Sequence, residues 1–153
     1  MEDQTTQPSD DSQPKAGDGG PKIKVLMVDD EPQYIEPLKE HLESTGRFEA
    51  FIETSPLVAI SSAQKIQPDI LVLDIVMPLY DGGDVLLMMQ KDPVLQKIPV
   101  IILSTLISPQ ETTSEGYVIS GGQFMMSKPP IPTQLVNCID GMLAGEFNLK
   151  NES

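Results

Sequence analysis

The chain has 153 residues, the length of one ordinary domain with tails, and 39% of them are apolar, enough to form a buried core. Its 23 acidic side chains against 10 basic ones give a net charge of −13, which nucleic-acid phosphates and anionic lipids would repel. Cys138 is the single cysteine, which excludes an internal disulfide, and neither a bilayer-spanning apolar run nor a signal peptide is visible, so we expect a cytoplasmic protein that binds no nucleic acid and inserts into no membrane.

Both ends of the chain have compositions typical of tails. Residues 1–21 contain Gln, Ser, Asp, Gly and Pro with almost nothing apolar, so burial cannot offset the entropy lost on ordering them. We therefore predict a disordered acidic N-terminal tail, which acts either as a passive extension or as a regulatory arm. Residues 147–153 are predicted to be a C-terminal tail. The domain itself is expected to span residues 22–146.

The first half of this domain alternates buried strands with amphipathic helices. An apolar run from Ile23 to Val28, bounded by Gly and Pro, predicts the first strand. Apolar residues then recur at helical spacing before Gly46, although Pro37 is expected to kink this helix or delay its start. The next predicted elements are a weaker strand at 48–53, a helix that begins at Ser55 and Pro56, and a buried strand at 70–73.

The second half continues the same alternation. Asp84 is expected to cap a third helix, and a fourth strand follows Pro99. The fourth helix is predicted over 109–120, where several Thr, Ser and Gly residues are mediocre helix formers, so tertiary packing must hold it. The last predicted elements are a fifth strand at 124–126 and a closing helix with an apolar face over 135–143. Five βα units imply an α/β fold with a parallel sheet and helices on both faces.

Polar side chains follow four of the predicted strands. Asp29 and Asp30 come directly after the first strand, and Asp74 follows the third. Because parallel strands end at one rim, these carboxylates are expected to converge, and their mutual repulsion calls for a cation. An all-oxygen site with few carboxylates suits Mg2+ better than Ca2+, and the lack of His and Cys ligands argues against zinc. Ser104 and Lys128, at the ends of the fourth and fifth strands, can donate to phosphoryl oxygens.

Each of these residues alone is commonly a helix cap or a solvated side chain, but together they resemble the response-regulator receiver family over residues 22–145. The segment VLMVDDE is similar to the family's acidic-pair strand, and DIVMPLYDGGDVL carries Asp74 in the family's D-x-x-M-P-x-x-D-G arrangement. IPVIILST supplies Ser104, and SKPP supplies Lys128 followed by Pro129, in a bond that the resemblance implies is cis. The chain is most similar to stand-alone, chemotaxis-regulator-like receivers.

The resemblance implies a flavodoxin-like doubly wound sheet with five parallel strands in the order 2-1-3-4-5. It implies that Asp30 and Asp74 ligate Mg2+ directly with the backbone carbonyl of Val76, while Asp29 contributes through water. Asp74 would be the nucleophile that takes a phosphoryl group from a phosphohistidine of a sensor histidine kinase or a histidine phosphotransfer protein, with Lys128 and Ser104 stabilising the transferring charge. Receivers of this kind promote their own phosphorylation and dephosphorylation.

The resemblance also implies how the signal leaves the site. The new dianion would draw in Ser104 and repack the face formed by the predicted fourth helix, fifth strand and closing helix, which changes the downstream protein partner. Met125 stands at the switch position where the family usually has an aromatic residue, so either Met125 only fills a gap or Phe124 or Tyr117 takes that part. Val76 and Leu106, which flank the site, are apolar and are expected to slow hydrolysis of the phosphorylated form.

Two other functions remain open from the residues. A pseudo-receiver would keep the fold as an interaction module without being phosphorylated, but the intact set of site residues argues against it. A Mg2+-dependent phosphatase of the haloacid-dehalogenase kind would need a second Asp two residues after its nucleophile, where this chain has Val76. The cognate kinase, the downstream target and the oligomeric state cannot be identified from the sequence.

Overall fold

Strands and helices alternate along the part of the chain that the computed structural model describes, residues 21–74, 82–108, 110, 112–120 and 122–145. The elements are β1 Ile23–Val28, α1 Pro32–Ser44, β2 Phe48–Glu53, α2 Ala59–Ile66, β3 Ile70–Asp74, α3 Gly82–Gln90, β4 Val100–Ser104, β5 Tyr117–Ser120, β6 Gln123–Ser127 and α4 Pro132–Leu143. Short 3-10 helices lie at Pro56–Val58 and Leu95–Lys97. The predicted C-terminal tail and nearly all of the predicted N-terminal tail fall outside the described residues. No described helix has the length and apolar character that crossing a membrane requires.

The strands form one sheet in the order β2-β1-β3-β4-β6-β5. All neighbours from β2 to β6 are parallel, which confirms the five parallel strands in the predicted order. The sixth strand, β5, was not predicted and pairs antiparallel with β6 at the edge of the sheet. The carboxyl ends of β1, β3, β4 and β6 therefore lie at one rim of the sheet.

The predicted fourth helix over 109–120 is wrong for the residues that the structure describes there, because its last third is β5. Gly116 has φ +90°, a left-handed conformation that interrupts a right-handed helix. The following Tyr117, Val118 and Ile119 are residue types that favour strands, and the Tyr117 ring packs 5.3 Å from the ring of Phe124 across the hairpin. The parallel sheet is thus extended by a hairpin where a crossover helix was expected.

Apolar residues cover both faces of the sheet. On one face, α1 and α4 pack against alternate strand residues such as Met27, Val72 and Leu103, and buried Cys138 belongs to this cluster. On the other face, α2 and α3 pack against the intervening residues, such as Leu26 and Leu73. The sheet is therefore buried on both sides, which leaves its rim as the place where polar side chains can gather.

Three details of the helix starts differ from prediction. Helix α1 begins at Pro32, where the missing N–H removes no hydrogen bond, and it runs through Pro37 instead of starting after it. Ser55 makes no side-chain cap and precedes a 3-10 turn, so α2 begins only at Ala59. Asp84 does not precede α3 but lies within its first turn, where the positive end of the helix dipole stabilises a carboxylate.

Candidate functional site

The site lies where the buried parallel strands end. Asp74 is the last residue of β3 and Ser104 is the last residue of β4, while Asp29 directly follows β1. These three residues are 2%, 1% and 0% exposed respectively. Lys128 follows β6, whose last residue pairs with Ser104 in the sheet. The fold thus brings four of the predicted site residues to one rim.

The ammonium of Lys128 occupies the centre of this group. Its Nζ atom lies 3.0 Å from Asp29 Oδ2 and 3.2 Å from Asp74 Oδ2, although the side chain is only 3% exposed. It also lies 3.1 Å from Oε1 of Glu31, a carboxylate that is half exposed. The Lys128–Pro129 peptide is cis, as the resemblance implied. One buried cation is therefore shared among three carboxylates.

Glu31 and Tyr34 contact Lys128 although neither was predicted as a site residue. The Tyr34 ring centroid lies 4.5 Å from Lys128 Nζ, which is cation–π distance. Glu31 directly follows the acidic pair, and Tyr34 follows it by three residues, so both lie at the start of α1. The position of Glu31 next to the acidic pair is a sequence signal that could have identified it. No sequence pattern, however, places an aromatic ring against a lysine 94 positions away.

Burial and charge compete at Asp29 and Lys128. Burial raises the pKa of Asp29 to about 6 and repulsion from Asp74 adds to this, while hydrogen bonds from the Glu31 N–H and from Lys128 act in the opposite direction. Burial alone would lower the pKa of Lys128, but hydrogen bonds to Asp29, Glu31 and Asp74 raise it above its ordinary value. Lys128 therefore stays charged, and the rim holds more negative charge than one ammonium neutralises.

The remaining carboxylate oxygens suit a divalent cation. One oxygen from each of Asp29, Asp30 and Glu31 lies within 4.8 Å of the others. Asp29 Oδ1 accepts the Glu31 N–H at 2.9 Å, whereas the buried Oδ2 atom has an ion pair to Lys128 but no hydrogen bond. These oxygen donors, in excess over nearby positive charge, fit Mg2+. Val76, whose carbonyl was predicted as a ligand, lies outside the described residues.

The hydroxyl of Ser104 is held by the loop that follows it. Its Oγ atom accepts the backbone N–H of Leu106 at 3.0 Å, and the Ser104 backbone lies one position beyond the residue that pairs with Asp74. The side chain of Leu106 is 79% exposed, so in this state it covers little of the rim. The hydroxyl is therefore buried beside the site, and its hydrogen can still be donated.

Met125 differs from the aromatic switch residue of the family in its surroundings as well. It is partly buried and packs against the cluster under α2 and α3. Phe124, one of the two alternative switch residues, is fully buried on the opposite face, where its ring meets Tyr117. The part that any of the three takes in switching stays a prediction.

Comparisons with known proteins agree with this geometry. Residues 25–140 match the model of the response regulator receiver domain. Protein PilH of Pseudomonas aeruginosa is 31% identical over 122 residues, which is 80% of this chain and 98% of PilH. The probable transcriptional regulator ycf29 of Pyropia yezoensis is 31% identical over 121 residues, 79% of this chain and 53% of that protein. This chain spans about half the length, or less, of several curated relatives.

Solved structures that resemble this fold are also described as response regulators. The crystal structure of a response regulator from Desulfuromonas acetoxidans has a TM-score of 0.66 and 22% sequence identity, and the alignment covers 82% of this chain and 99% of that one. At this identity the likeness supports the fold alone. The family match over most of the chain, together with the relative that it covers almost end to end, shows more: the chain belongs to the response regulator receiver domain family and is a phosphorylation-dependent signalling switch.

Proposed function

We propose that Asp74 is the residue through which this switch is phosphorylated, with a sensor histidine kinase or a histidine phosphotransfer protein as donor. The observation that carries the proposal is the position of Asp74, at the end of a buried strand with Oδ2 3.2 Å from the ammonium of Lys128. Phosphoryl transfer needs a nucleophile held beside a positive charge in a site that excludes water. Asp74, at 2% exposure, meets that need.

In the proposed reaction a carboxylate oxygen of Asp74 attacks the phosphorus of a phosphohistidine. The new P–O bond makes an acyl phosphate, while the P–N bond breaks and its electron pair stays on the imidazole nitrogen. Lys128 faces the equatorial oxygens of the transferring group as a point charge, and the Ser104 hydroxyl donates to another oxygen. In this step the residues mainly position groups and stabilise charge, as is usual in phosphoryl transfer.

We propose Mg2+ as the cofactor, held by Asp30, Asp74 and the carbonyl of Val76, with Asp29 contributing through water. Glu31 joins this set because its carboxylate lies in the same oxygen cluster. When bound, Mg2+ would neutralise the negative charge of the acidic rim and of the phosphoryl oxygens. Lys128 would then be released from part of its pairing with the acids and become available to the phosphoryl group.

The proposed output differs from the usual one of the family, because this chain has a hairpin where the fourth helix was expected. The phosphoryl dianion draws the Ser104 hydroxyl towards it, which displaces the loop that Ser104 holds through the Leu106 N–H. That loop leads to β5, so the face formed by β5, β6 and α4 is the one that changes its downstream protein partner. Such a change follows from new charge at the rim.

The label test separates this function from that of a pseudo-receiver. Wild-type protein incubated with labelled acetyl phosphate and Mg2+ should take up one phosphoryl group per chain, and Asp74→Asn should take up none because an amide cannot attack phosphorus. The matched control is Asp69→Asn. Asp69 lies just before β3 and accepts the backbone N–H of Lys24, and an asparagine amide oxygen can still accept it. Wild-type protein that takes up no label would indicate a pseudo-receiver, and continuous hydrolysis of acetyl phosphate would indicate a phosphatase.

We also propose that the phosphorylated state is long-lived. Val76 and Leu106 lack donors and acceptors, so they cannot orient a water molecule in line with the acyl-phosphate bond. Decay of labelled protein without kinase should quicken in Val76→Asn and in Leu106→Glu. Ile131, an exposed apolar residue just before α4, provides a control as Ile131→Gln. If neither Val76→Asn nor Leu106→Glu speeds the loss of label, these two side chains do not control hydrolysis.

A further inference from the structure

The ring of Tyr34 lies over the ammonium of Lys128. Nζ lies 4.5 Å from the ring centroid. Tyr34 lies in the first turn of α1, where its backbone N–H donates to the carbonyl of Glu31 at 3.0 Å, so the backbone that carries the ring is ordered relative to the acidic loop. The contact therefore joins α1 to the residue that follows β6.

Burial shows which neighbours shield the ammonium from solvent. Asp29 and Asp74 are 0% and 2% exposed, so they approach Lys128 from the interior of the rim. Glu31 and Tyr34 are both partly open to solvent, yet the Lys128 side chain between these groups is only 3% exposed. Within the part of the chain that the structure describes, the ammonium thus has one carboxylate and one aromatic face on its outer side.

We propose that Tyr34 is a positioning residue that keeps Lys128 directed at Asp74 through the face of its ring. The inference rests on the proposed phosphorylation of Asp74. Lysine has a long flexible stem, and the three carboxylates around it would exchange partners when a cation or phosphoryl group binds. The ring is neutral and keeps its attraction for the ammonium through those changes, because that attraction comes from the ring quadrupole.

The test compares labelling rates with acetyl phosphate and Mg2+ in wild type, Tyr34→Leu and Tyr34→Phe. Loss of the aromatic face in Tyr34→Leu should slow labelling roughly tenfold, the effect expected of a cation–π contact that is largely desolvated. Tyr34→Phe keeps the face and should restore the wild-type rate. Gln33→Ala, an exposed neighbour in the same helical turn, is the control. Equal rates in wild type and Tyr34→Leu would overturn the proposal, as would a Tyr34→Phe variant as slow as Tyr34→Leu.

A second readout does not depend on phosphorylation. In NMR spectra the Lys128 Cε protons should show an upfield ring-current shift in wild type and Tyr34→Phe, and this shift should disappear in Tyr34→Leu. If wild type shows the shift but takes up no label, the proposed function fails while the contact stands. If wild type is labelled but shows no shift, the positioning contact is refuted and the phosphorylation of Asp74 is unaffected.

Discussion

One buried ammonium among three carboxylates is the feature on which the chemistry of individual residues depends. Lys128 cannot neutralise Asp29, Asp74 and Glu31 together, and the raised pKa of Asp29, about 6, reflects the free energy needed to keep a buried carboxylate charged. A nucleophile beside unbalanced negative charge would repel an incoming phosphoryl group. Additional positive charge at the rim therefore favours both folding and reaction.

Mg2+ should stabilise the protein for this reason. We expect millimolar Mg2+ to raise the melting temperature of wild type, because a ligand that binds only the folded state shifts the folding equilibrium. This rise in melting temperature should be smaller in Asp30→Asn, which removes a proposed ligand. It should be as large as in wild type in Asp69→Asn, because Asp69 lies outside the oxygen cluster. Phosphorylation that proceeds while Mg2+ leaves the wild-type melting temperature unaltered would show that the acidic cluster has been misinterpreted.

At the scale of elements, the hairpin of β5 and β6 distinguishes this chain from the predicted fold, and Gly116, just before β5, has a constrained backbone position. Gly116 has φ +90°, and a Cβ atom there would meet the side-chain amide of Gln134 on α4. Gln134 in turn donates to the carbonyl of Ser114 at 3.3 Å. The turn before β5 is thus packed against the closing helix.

Gly116→Ala should therefore destabilise the domain by roughly 1 to 3 kcal/mol for the strained backbone, and by more where Gln134 cannot move aside. Gly46→Ala is the matched control, since Gly46 has φ +80° with nothing within 4 Å of the added Cβ. Urea unfolding measures both variants. Removing the clash in the double variant Gly116→Ala, Gln134→Ala should recover the difference. Equal stability losses at the two glycines would show that the contact with Gln134 contributes nothing.

The same elements show what the sequence could and could not predict. Strands with continuous apolar runs were placed to within a residue or two, because burial on both faces leaves no other pattern, and the carboxylates at their ends followed. The hairpin was missed although Gly121 and Gly122 separate two segments of strand-forming residues, a typical two-residue turn. The regular alternation of strands and helices before this interval instead favours a helix there. Tyr34 was not predicted because a contact between residues far apart in the sequence leaves no pattern in the sequence around either residue.

At the scale of the whole molecule, Arg47 joins the start of β2 to α4. Its guanidinium donates two hydrogen bonds of 3.0 Å to the Asp140 carboxylate, 93 positions away, and stacks 4.7 Å from the Phe48 ring. We expect Arg47→Ala to lower the free energy of unfolding by about 1 kcal/mol, allowing for partial exposure of the pair. Lys39→Ala, which breaks an ion pair within α1, should cost less, about 0.4 kcal/mol. A loss at Arg47 no larger than at Lys39 would contradict a stabilising role.

The fold, the acidic rim and Lys128 lead to one claim for the whole molecule: the chain stores its signal as an acyl phosphate on Asp74. Borohydride reduces an acyl phosphate to an alcohol, so peptide mass spectrometry of phosphorylated, reduced protein should find homoserine at position 74 and unmodified aspartate at Asp29, Asp30 and Asp69. Protein without phosphoryl donor should show no such conversion. Homoserine at another aspartate, or label without any reduced aspartate, would contradict the assignment of Asp74 as the phosphoryl acceptor.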